Sequence, residues 1–199
     1  RLAARLALGN GRNRMNWNST TDRRVIWITG LSGAGKSTIA RAAVTQLRAL
    51  GELPVLIDGD QIREAIADPN TGHDIASRLA NAYRISRFAK LFAEQDHTVI
   101  VATMSIFHEI HAWNRANLPG YFEVWVEVSL PALRERDARR LYSRLQNGDA
   151  ANVPGMDLEY ERPFQPDLIL ENNPPLKDPD SLAGMLLDHI QPEPVIAQS

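Results

Sequence analysis

Residues 25–37 read VIWITGLSGAGKS: an apolar, mostly β-branched run that breaks into Gly30, four further residues, and then Gly35, Lys36 and Ser37. The apolar run predicts a buried β-strand. The GxxxxGKS pattern after it is typical of a phosphate-binding loop, in which backbone N–H groups point inward, the lysine reaches the outer phosphates and the serine hydroxyl holds Mg²⁺. The helix that follows adds the positive end of its dipole. The stretch therefore predicts a site for ATP and Mg²⁺, the alternative being a glycine-rich turn that binds nothing.

The predicted ATP site comprises the loop and the start of the helix. Its residues are Gly30, Ser32, Gly33, Ala34, Gly35, Lys36, Ser37 and Thr38.

Composition bounds the class of protein. The 199 residues, 44% hydrophobic and 23% charged, suffice for one globular domain. The absence of cysteine excludes disulfides, thiolate metal sites and a cysteine nucleophile, and favours a reducing, cytoplasmic location. No run approaches the roughly 18 consecutive apolar residues of a membrane span. A net charge of −2 argues against a general nucleic-acid binder.

The charge is distributed unevenly along the chain. Residues 1–24 contain six arginines and one acidic residue, a net charge of +5, so the remainder carries −7. We interpret residues 1–24 as a basic arm that docks at an interface, the alternative being a solvated tail. Residues 25–199 are expected to form a single phosphate-loop (P-loop) domain, and the arm is expected to contact a second subunit in a homodimer.

Strand and helix patterns alternate downstream of the loop, which predicts an α/β fold in three layers, α/β/α, with a central parallel sheet. Phe88 and Leu91 are assigned to the apolar side of a long helix. Residues 141–166 lack periodicity and contain scattered Gly and Pro, so they are expected to form a surface lid segment. The predicted strands are 25–29, 54–57, 97–103, 121–128 and 167–170, and the predicted helices are 36–50, 61–67, 74–95, 105–117, 131–139 and 181–190.

Two carboxylates follow the second strand. Because the carboxyl ends of parallel strands meet at one edge of a sheet, Asp58 and Asp60 are expected beside the phosphate loop, on the neighbouring strand. Phosphoryl transfer needs a carboxylate there to hold Mg²⁺ and to accept the proton of the attacking hydroxyl. Arg63 lies three residues after Asp60 and would project from the same side toward an anionic substrate. In the alternative interpretation, Asp60 only caps the helix.

Five segments, taken together, resemble the adenylylsulfate kinases. They are WITGLSGAGKST, LIDGDQIR, GHDIASRLANAYRI, RDARRLYSR and NVPGMDLEYERP, in the order and spacing of that family. The resemblance covers about residues 25–170. It implies a P-loop NTPase-type fold with a lid, and an enzyme of sulfate assimilation that uses ATP to phosphorylate the ribose 3′-hydroxyl of adenosine 5′-phosphosulfate, forming 3′-phosphoadenylylsulfate.

The resemblance also implies roles for individual residues. Lys36 and Ser37 would serve ATP and Mg²⁺, and Asp60 would act as base or metal partner. Arg136 would lie near the ATP adenine, and Arg139 stands where the family's lid carries a lysine. The residues assigned to the acceptor nucleotide are Asp58, Arg63, His73, Arg78, Asn81, Met104, Ser105 and Val153, with a solvated helix face as the alternative for Arg78.

Departures from the family pattern cluster on the acceptor side. His73 and Val153 replace aromatic residues, and MSIFH at residues 104–108 replaces ISPYR. Since stacking on an aromatic side chain contributes roughly 1 to 3 kcal/mol per base, the preferred base can differ. A group of relatives that act on cytidine diphosphoramidate in capsule modification resembles this chain around ATMSIFHEIHAWNR, so this compound is the second candidate acceptor. A nucleotide-binding module without catalysis is the third hypothesis.

Three further features have structural interpretations. His108 and His111 share a helix face but lack an evident third ligand, so we interpret them as an exposed face and not as a metal site. Ser105 is expected to cap the following helix. Trp27 and Trp125 lie in predicted strands and are assigned to the core.

Overall fold

The structure is a computed structural model and describes residues 25–67, 72, 74–137 and 140–190. The expected basic arm, His73 and Arg139 lie outside the described residues. The strands are Val25–Thr29 (β1), Val55–Asp58 (β2), Val99–Ala102 (β3), Tyr121–Glu127 (β4) and Leu168–Glu171 (β5). The helices are Lys36–Ala49 (α1), Gly59–Ile66 (α2), Ile75–Ala93 (α3), His108–Asn117 (α4), Leu130–Arg136 (α5), Leu141–Gln146 (α6) and Pro179–Ile190 (α7).

The five strands form one parallel sheet in the order β2-β3-β1-β4-β5. Parallel strands need crossover connections, and the helices between them supply these connections. The predicted three-layer α/β/α fold is confirmed. The expectation that β2 neighbours β1 is wrong, because β3 pairs with both and lies between them. The carboxylates after β2 are therefore one strand further from the phosphate loop than predicted.

The central strand β1 separates two hydrophobic cores. Its residues are fully buried, and their side chains alternate between the two faces of the sheet. Ile26 and Ile28 pack in the core formed with α1 and α7, while Val25 and Trp27 pack in the core formed with α3 and α4. Trp27 is fully buried and Trp125 is 2% exposed, so the assignment of both tryptophans to the core is confirmed.

Two expectations about single elements are wrong. The segment expected to be irregular surface begins with α6, and both Tyr142 and Val153 within it are buried in the core. Phe88 and Leu91 are exposed, because α3 buries mainly small residues such as Ala82 and Ala89 against the sheet. Close packing of a helix on a sheet favours small side chains at the contact, so the larger residues of α3 lie further round the helix.

None of the helices in the described part of the chain is both long and apolar enough to cross a membrane.

Candidate active site

The loop between β1 and α1 has the backbone geometry of an anion cradle. Gly30, Gly33 and Gly35 all have positive φ angles, of 150°, 81° and 101°. A Cβ atom at Gly30 would lie 2.8 Å from the carbonyl oxygen of Val126 on β4. Only glycine fits this close approach of the loop to the neighbouring strand.

The N-terminus of α1 is open to an anion. Gly35 is the N-cap and provides no side-chain cap, and the first turn contains no acidic residue. Ser37 and Thr38 lie in that first turn with partly or fully exposed side chains, and the Lys36 ammonium donates to the carbonyl of Leu31 at 2.8 Å. Uncapped N–H groups, the helix dipole, a lysine and a hydroxyl together fit the phosphates of a nucleotide and its Mg²⁺.

The two aspartates after β2 have different surroundings. Asp58 is buried and caps α2, since its carboxylate accepts from the N–H of Asp60 at 3.0 Å. Asp60 lies in the first turn of α2 with an exposed side chain. The alternative in which Asp60 caps the helix is therefore wrong. Asp58 also lies 3.7 Å from the guanidinium of Arg41, which connects β2 to the phosphate-loop helix α1.

Two arginines converge on the acceptor side. Arg63 donates to the carbonyl of Gly72 at 2.9 Å, and Arg78 donates to the carbonyl of Asn152 at 2.9 Å. Burial and the nearby positive charge of Arg63 lower the pKa of Arg78, while Asp74 and Asp157 oppose this shift. The half-buried side chain of Arg78 thus reaches from α3 to the lid segment and does not lie on a solvated face. Two guanidinium groups that repel each other favour an anion between them.

Asn81 is buried, and its side-chain oxygen has no hydrogen-bond partner among the described residues. A buried polar atom without a partner costs free energy, so its position favours a ligand that donates a hydrogen bond. Asn81 follows Arg78 by three residues on α3 and therefore lies on the same side of that helix.

The segment after β3 is attached to the end of β1. Ser105 donates its N–H to Thr29 Oγ1 at 3.0 Å, and the Thr29 hydroxyl donates to the Ser105 carbonyl at 3.0 Å. Ser105 is buried and Phe107 is the N-cap of α4, so the expectation that Ser105 caps this helix is wrong. Met104 is half-buried beside it, and the link to Thr29 brings both residues next to the phosphate loop.

Arg136 contacts the phosphate loop directly. Its guanidinium donates to the carbonyl of Gly33 at 3.3 Å and to the carbonyl of Asn172. Val153, within the lid segment, is 1% exposed and packs in the core.

His111 belongs to a buried polar cluster. It is 7% exposed, so the interpretation of the two histidines as an exposed face is wrong for His111. Its Nδ1 lies 2.5 Å from Glu123 Oε1, and Glu123 also accepts from the hydroxyl of Tyr121 at 2.7 Å and from Arg115 at 3.3 Å. Among the described residues, no group of three or more His, Asp and Glu side chains is arranged to hold a metal ion.

Sequence reasoning missed four residues that shape the site. Thr29 and Arg41 connect it to the segment after β3 and to Asp58, and Tyr142 and Asn172 contact the phosphate loop. Tyr142 lies within the quoted RDARRLYSR segment, which is a signal that could have identified it. Nothing in the local sequence distinguishes Asn172 from a turn residue.

The parallel sheet, the glycine cradle and the open helix N-terminus define the class: a phosphate-loop nucleotide-binding protein of the α/β type. Residues 22–171 match the model of the adenylylsulphate kinase family. The chain belongs to this family, and it is a kinase.

Relatives support the same assignment. The adenylyl-sulfate kinase of Deinococcus deserti is 40% identical over 84% of this chain and 91% of its own length. The cytidine diphosphoramidate kinase of Campylobacter jejuni is 36% identical over 75% of this chain and 86% of its own length. The solved APS kinase of Mycobacterium tuberculosis, in complex with AMPPNP and APS, has 32% identity and a TM-score of 0.77, covering 85% of this chain and 98% of that one. The predicted family and enzyme class are confirmed.

Proposed function

We propose that the chain transfers the γ-phosphoryl group of ATP to the ribose 3′-hydroxyl of adenylylsulfate, a step of sulfate assimilation. The observation that supports the proposal is that two groups of residues suited to binding anions lie toward the carboxyl edge of one sheet. One is the glycine cradle at the start of α1, and the other is the pair of Arg63 and Arg78 beside Asn81. A kinase that joins two nucleotides needs both sites.

In this proposal the chain positions the reactants and neutralises charge. The loop amides and Lys36 bind the ATP phosphates, while Arg63, Arg78 and Asn81 hold the acceptor. Mg²⁺, held by Ser37 and Asp60, would neutralise charge on the phosphates.

Asp60 orients the acceptor hydroxyl and takes its proton as the hydroxyl oxygen bonds to the γ-phosphorus and the bond to ADP breaks. Transfer is direct, so the enzyme forms no covalent intermediate.

Cytidine diphosphoramidate is the second candidate acceptor. Val153, which replaces an aromatic residue of the family, is aliphatic and buried in the core, so it offers no ring on which a base can stack. Loss of one stacking contact weakens binding by roughly 1 to 3 kcal/mol. The acceptor site can therefore prefer a smaller base, and the Campylobacter jejuni relative carries the name of this activity.

The test measures ADP release with adenylylsulfate, with cytidine diphosphoramidate and without acceptor. We expect release with adenylylsulfate and none with its 3′-deoxy analogue, which binds but cannot accept a phosphoryl group. Faster release with cytidine diphosphoramidate at equal concentration would favour the second candidate. ATP binding without release of ADP under any condition would contradict both and favour a binding module.

We also propose that the enzyme acts in the cytoplasm as a homodimer, with the basic residues 1–24 at the subunit interface. Contacts made by arginines weaken as salt screens them. Light scattering of the full chain is expected to give twice the monomer mass at low salt and a larger monomer fraction at high salt. A monomer at every salt concentration would contradict the dimer.

A further inference from the structure

Four consecutive carbonyl groups of the phosphate loop, those of residues 31–34, each accept a hydrogen bond from a side chain. The donors are Lys36 Nζ to Leu31 (2.8 Å), Tyr142 Oη to Ser32 (3.2 Å), Arg136 Nη1 to Gly33 (3.3 Å) and Asn172 Nδ2 to Ala34 (2.9 Å).

These bonds determine the direction of the loop amides. In a planar trans peptide, the N–H of one residue points opposite to the C=O of the residue before it. A bond that holds the Ser32 carbonyl therefore also aims the N–H of Gly33, and a bond that holds the Ala34 carbonyl aims the N–H of Gly35. The side chains around the loop thus keep its donors directed toward the place where phosphates bind.

Three of the four donors lie far away in the chain. Arg136 ends α5, Tyr142 lies in the first turn of α6, and Asn172 follows β5. Tyr142 is the donor that belongs to the segment predicted as a lid. Its ring is buried, which raises the pKa of its hydroxyl, so the hydroxyl stays a donor at neutral pH.

The start of α6 is itself fixed in place. Asp137 adopts a left-handed conformation, and its carboxylate accepts from the N–H of Tyr142 at 2.8 Å and from the hydroxyl and N–H of Ser143. The Ser143 hydroxyl lowers the pKa of Asp137, which keeps this acceptor charged. Asp137 therefore holds Tyr142 in the position from which it reaches the loop.

We propose that Tyr142 is a positioning residue for nucleotide binding: its hydroxyl holds the Ser32 carbonyl, aims the Gly33 N–H at the nucleotide phosphates and couples the start of the lid to the phosphate loop. The identity of the nucleotide as ATP rests on the proposed function.

The test compares Tyr142→Phe with Tyr83→Phe. Both substitutions remove one hydroxyl and keep the ring, but the Tyr83 hydroxyl donates to Glu109 between α3 and α4, and its ring packs against the core that does not contain the loop residues. Titration calorimetry with AMPPNP is expected to give a dissociation constant roughly three- to tenfold higher for Tyr142→Phe, and an unchanged constant for Tyr83→Phe. Hydrogen exchange of amides 32–37 is expected to be faster only in Tyr142→Phe.

If Tyr142 has only a structural role, Tyr142→Phe will lower the melting temperature without changing AMPPNP affinity or the hydrogen exchange of the loop amides. That result would overturn the proposal. Asp137→Ala provides a second test if Tyr142→Phe does not fold. This substitution removes the carboxylate that holds the start of α6, while Tyr142 keeps its hydroxyl group. Unchanged AMPPNP affinity in Asp137→Ala would also overturn the proposal. AMPPNP binding requires no acceptor, so a wild-type chain that releases no ADP would contradict only the proposed function.

Discussion

Lys36 is the side chain on which the proposed chemistry depends most directly. In the structure its ammonium donates to the carbonyl of Leu31 at 2.8 Å, which places it against the loop that it serves. When a nucleotide binds, a charge-assisted bond to phosphate oxygens becomes available to the same group.

Lys36→Ala is expected to lower turnover because it removes charge-assisted contacts worth about 1.5 to 3 kcal/mol, a loss of at least roughly ten- to a hundredfold in rate. The measurement is ADP release at saturating acceptor. Lys90→Ala is the matched control, since Lys90 pairs with Glu94 on the surface of α3. Parental turnover in Lys36→Ala would refute the role assigned to this lysine.

Glu123 makes stability depend on pH. Burial raises the pKa of its carboxyl, but His111, Tyr121 and Arg115 lower it by more, so the pKa lies below its ordinary value of 4.5. A carboxyl with a depressed pKa in the folded state stabilises the fold above its unfolded pKa, and this stabilisation is lost as pH falls through the folded value.

We therefore expect the free energy of unfolding to decrease as pH falls below 4.5. Glu123→Gln is expected to be about 1 to 3 kcal/mol less stable at pH 7, because it removes the carboxylate that contacts His111 and accepts hydrogen bonds from Tyr121 and Arg115, and to lose less stability in acid. Urea unfolding at several pH values measures both effects. Glu135→Gln, at an exposed position, is the control, and equal pH profiles for the two variants would contradict this role of Glu123.

Helix α2 is positioned by one close contact with the neighbouring strand. A Cβ atom at Gly59 would lie 2.5 Å from Thr103 Oγ1 and 3.0 Å from Thr103 Cβ. Gly59 therefore allows α2 to start directly against the end of β3, and it sets the place of Asp60 in the next position of the helix.

Gly59→Ala is expected to destabilise the fold by about 1 to 3 kcal/mol through this overlap, and to slow turnover further because α2 must move with Asp60. Gly184→Ala is the matched control: it lies inside α7, where an added Cβ meets only Gln46 Oε1 at 3.9 Å. It should stabilise the helix by roughly 0.5 to 1 kcal/mol. Thermal unfolding and ADP release distinguish the two variants, and equal effects would show that the contact at Thr103 is unimportant.

The elements also show where sequence patterns succeed and fail. Helical spacing of apolar residues predicted α1 and α3, and short apolar runs predicted the strands, each to within a few residues. The six residues of α6 are too few to show a period, and glycines and prolines follow soon after. Serine is a residue type that often caps helices, but Ser105 is bonded through its backbone to Thr29, and α4 begins later, with Phe107 as its N-cap.

In the proposed function, ATP, the acceptor and Mg²⁺ would share one edge of the sheet, so the proposed activity requires Mg²⁺. Chelation with EDTA is expected to reduce ADP release by at least roughly a hundredfold, since the ion neutralises charge that develops on the phosphates. Restoration by excess Mg²⁺ is the control. Undiminished release in EDTA would contradict the assignment of Ser37 and Asp60 to a metal.

The amino-acid sequence by itself determined the phosphate loop, the alternation of strands and helices and the family, because these depend on neighbouring residues and short periods. Through the resemblance it also assigned Arg63, Arg78 and Asn81 to the acceptor, and this assignment stays a prediction. Only the tertiary structure placed β3 between β1 and β2, buried His111 against Glu123 and brought Tyr142 and Asn172 onto a loop 110 and 138 residues away. Contacts of this kind depend on how all the layers pack together, and no local pattern of residues encodes that packing.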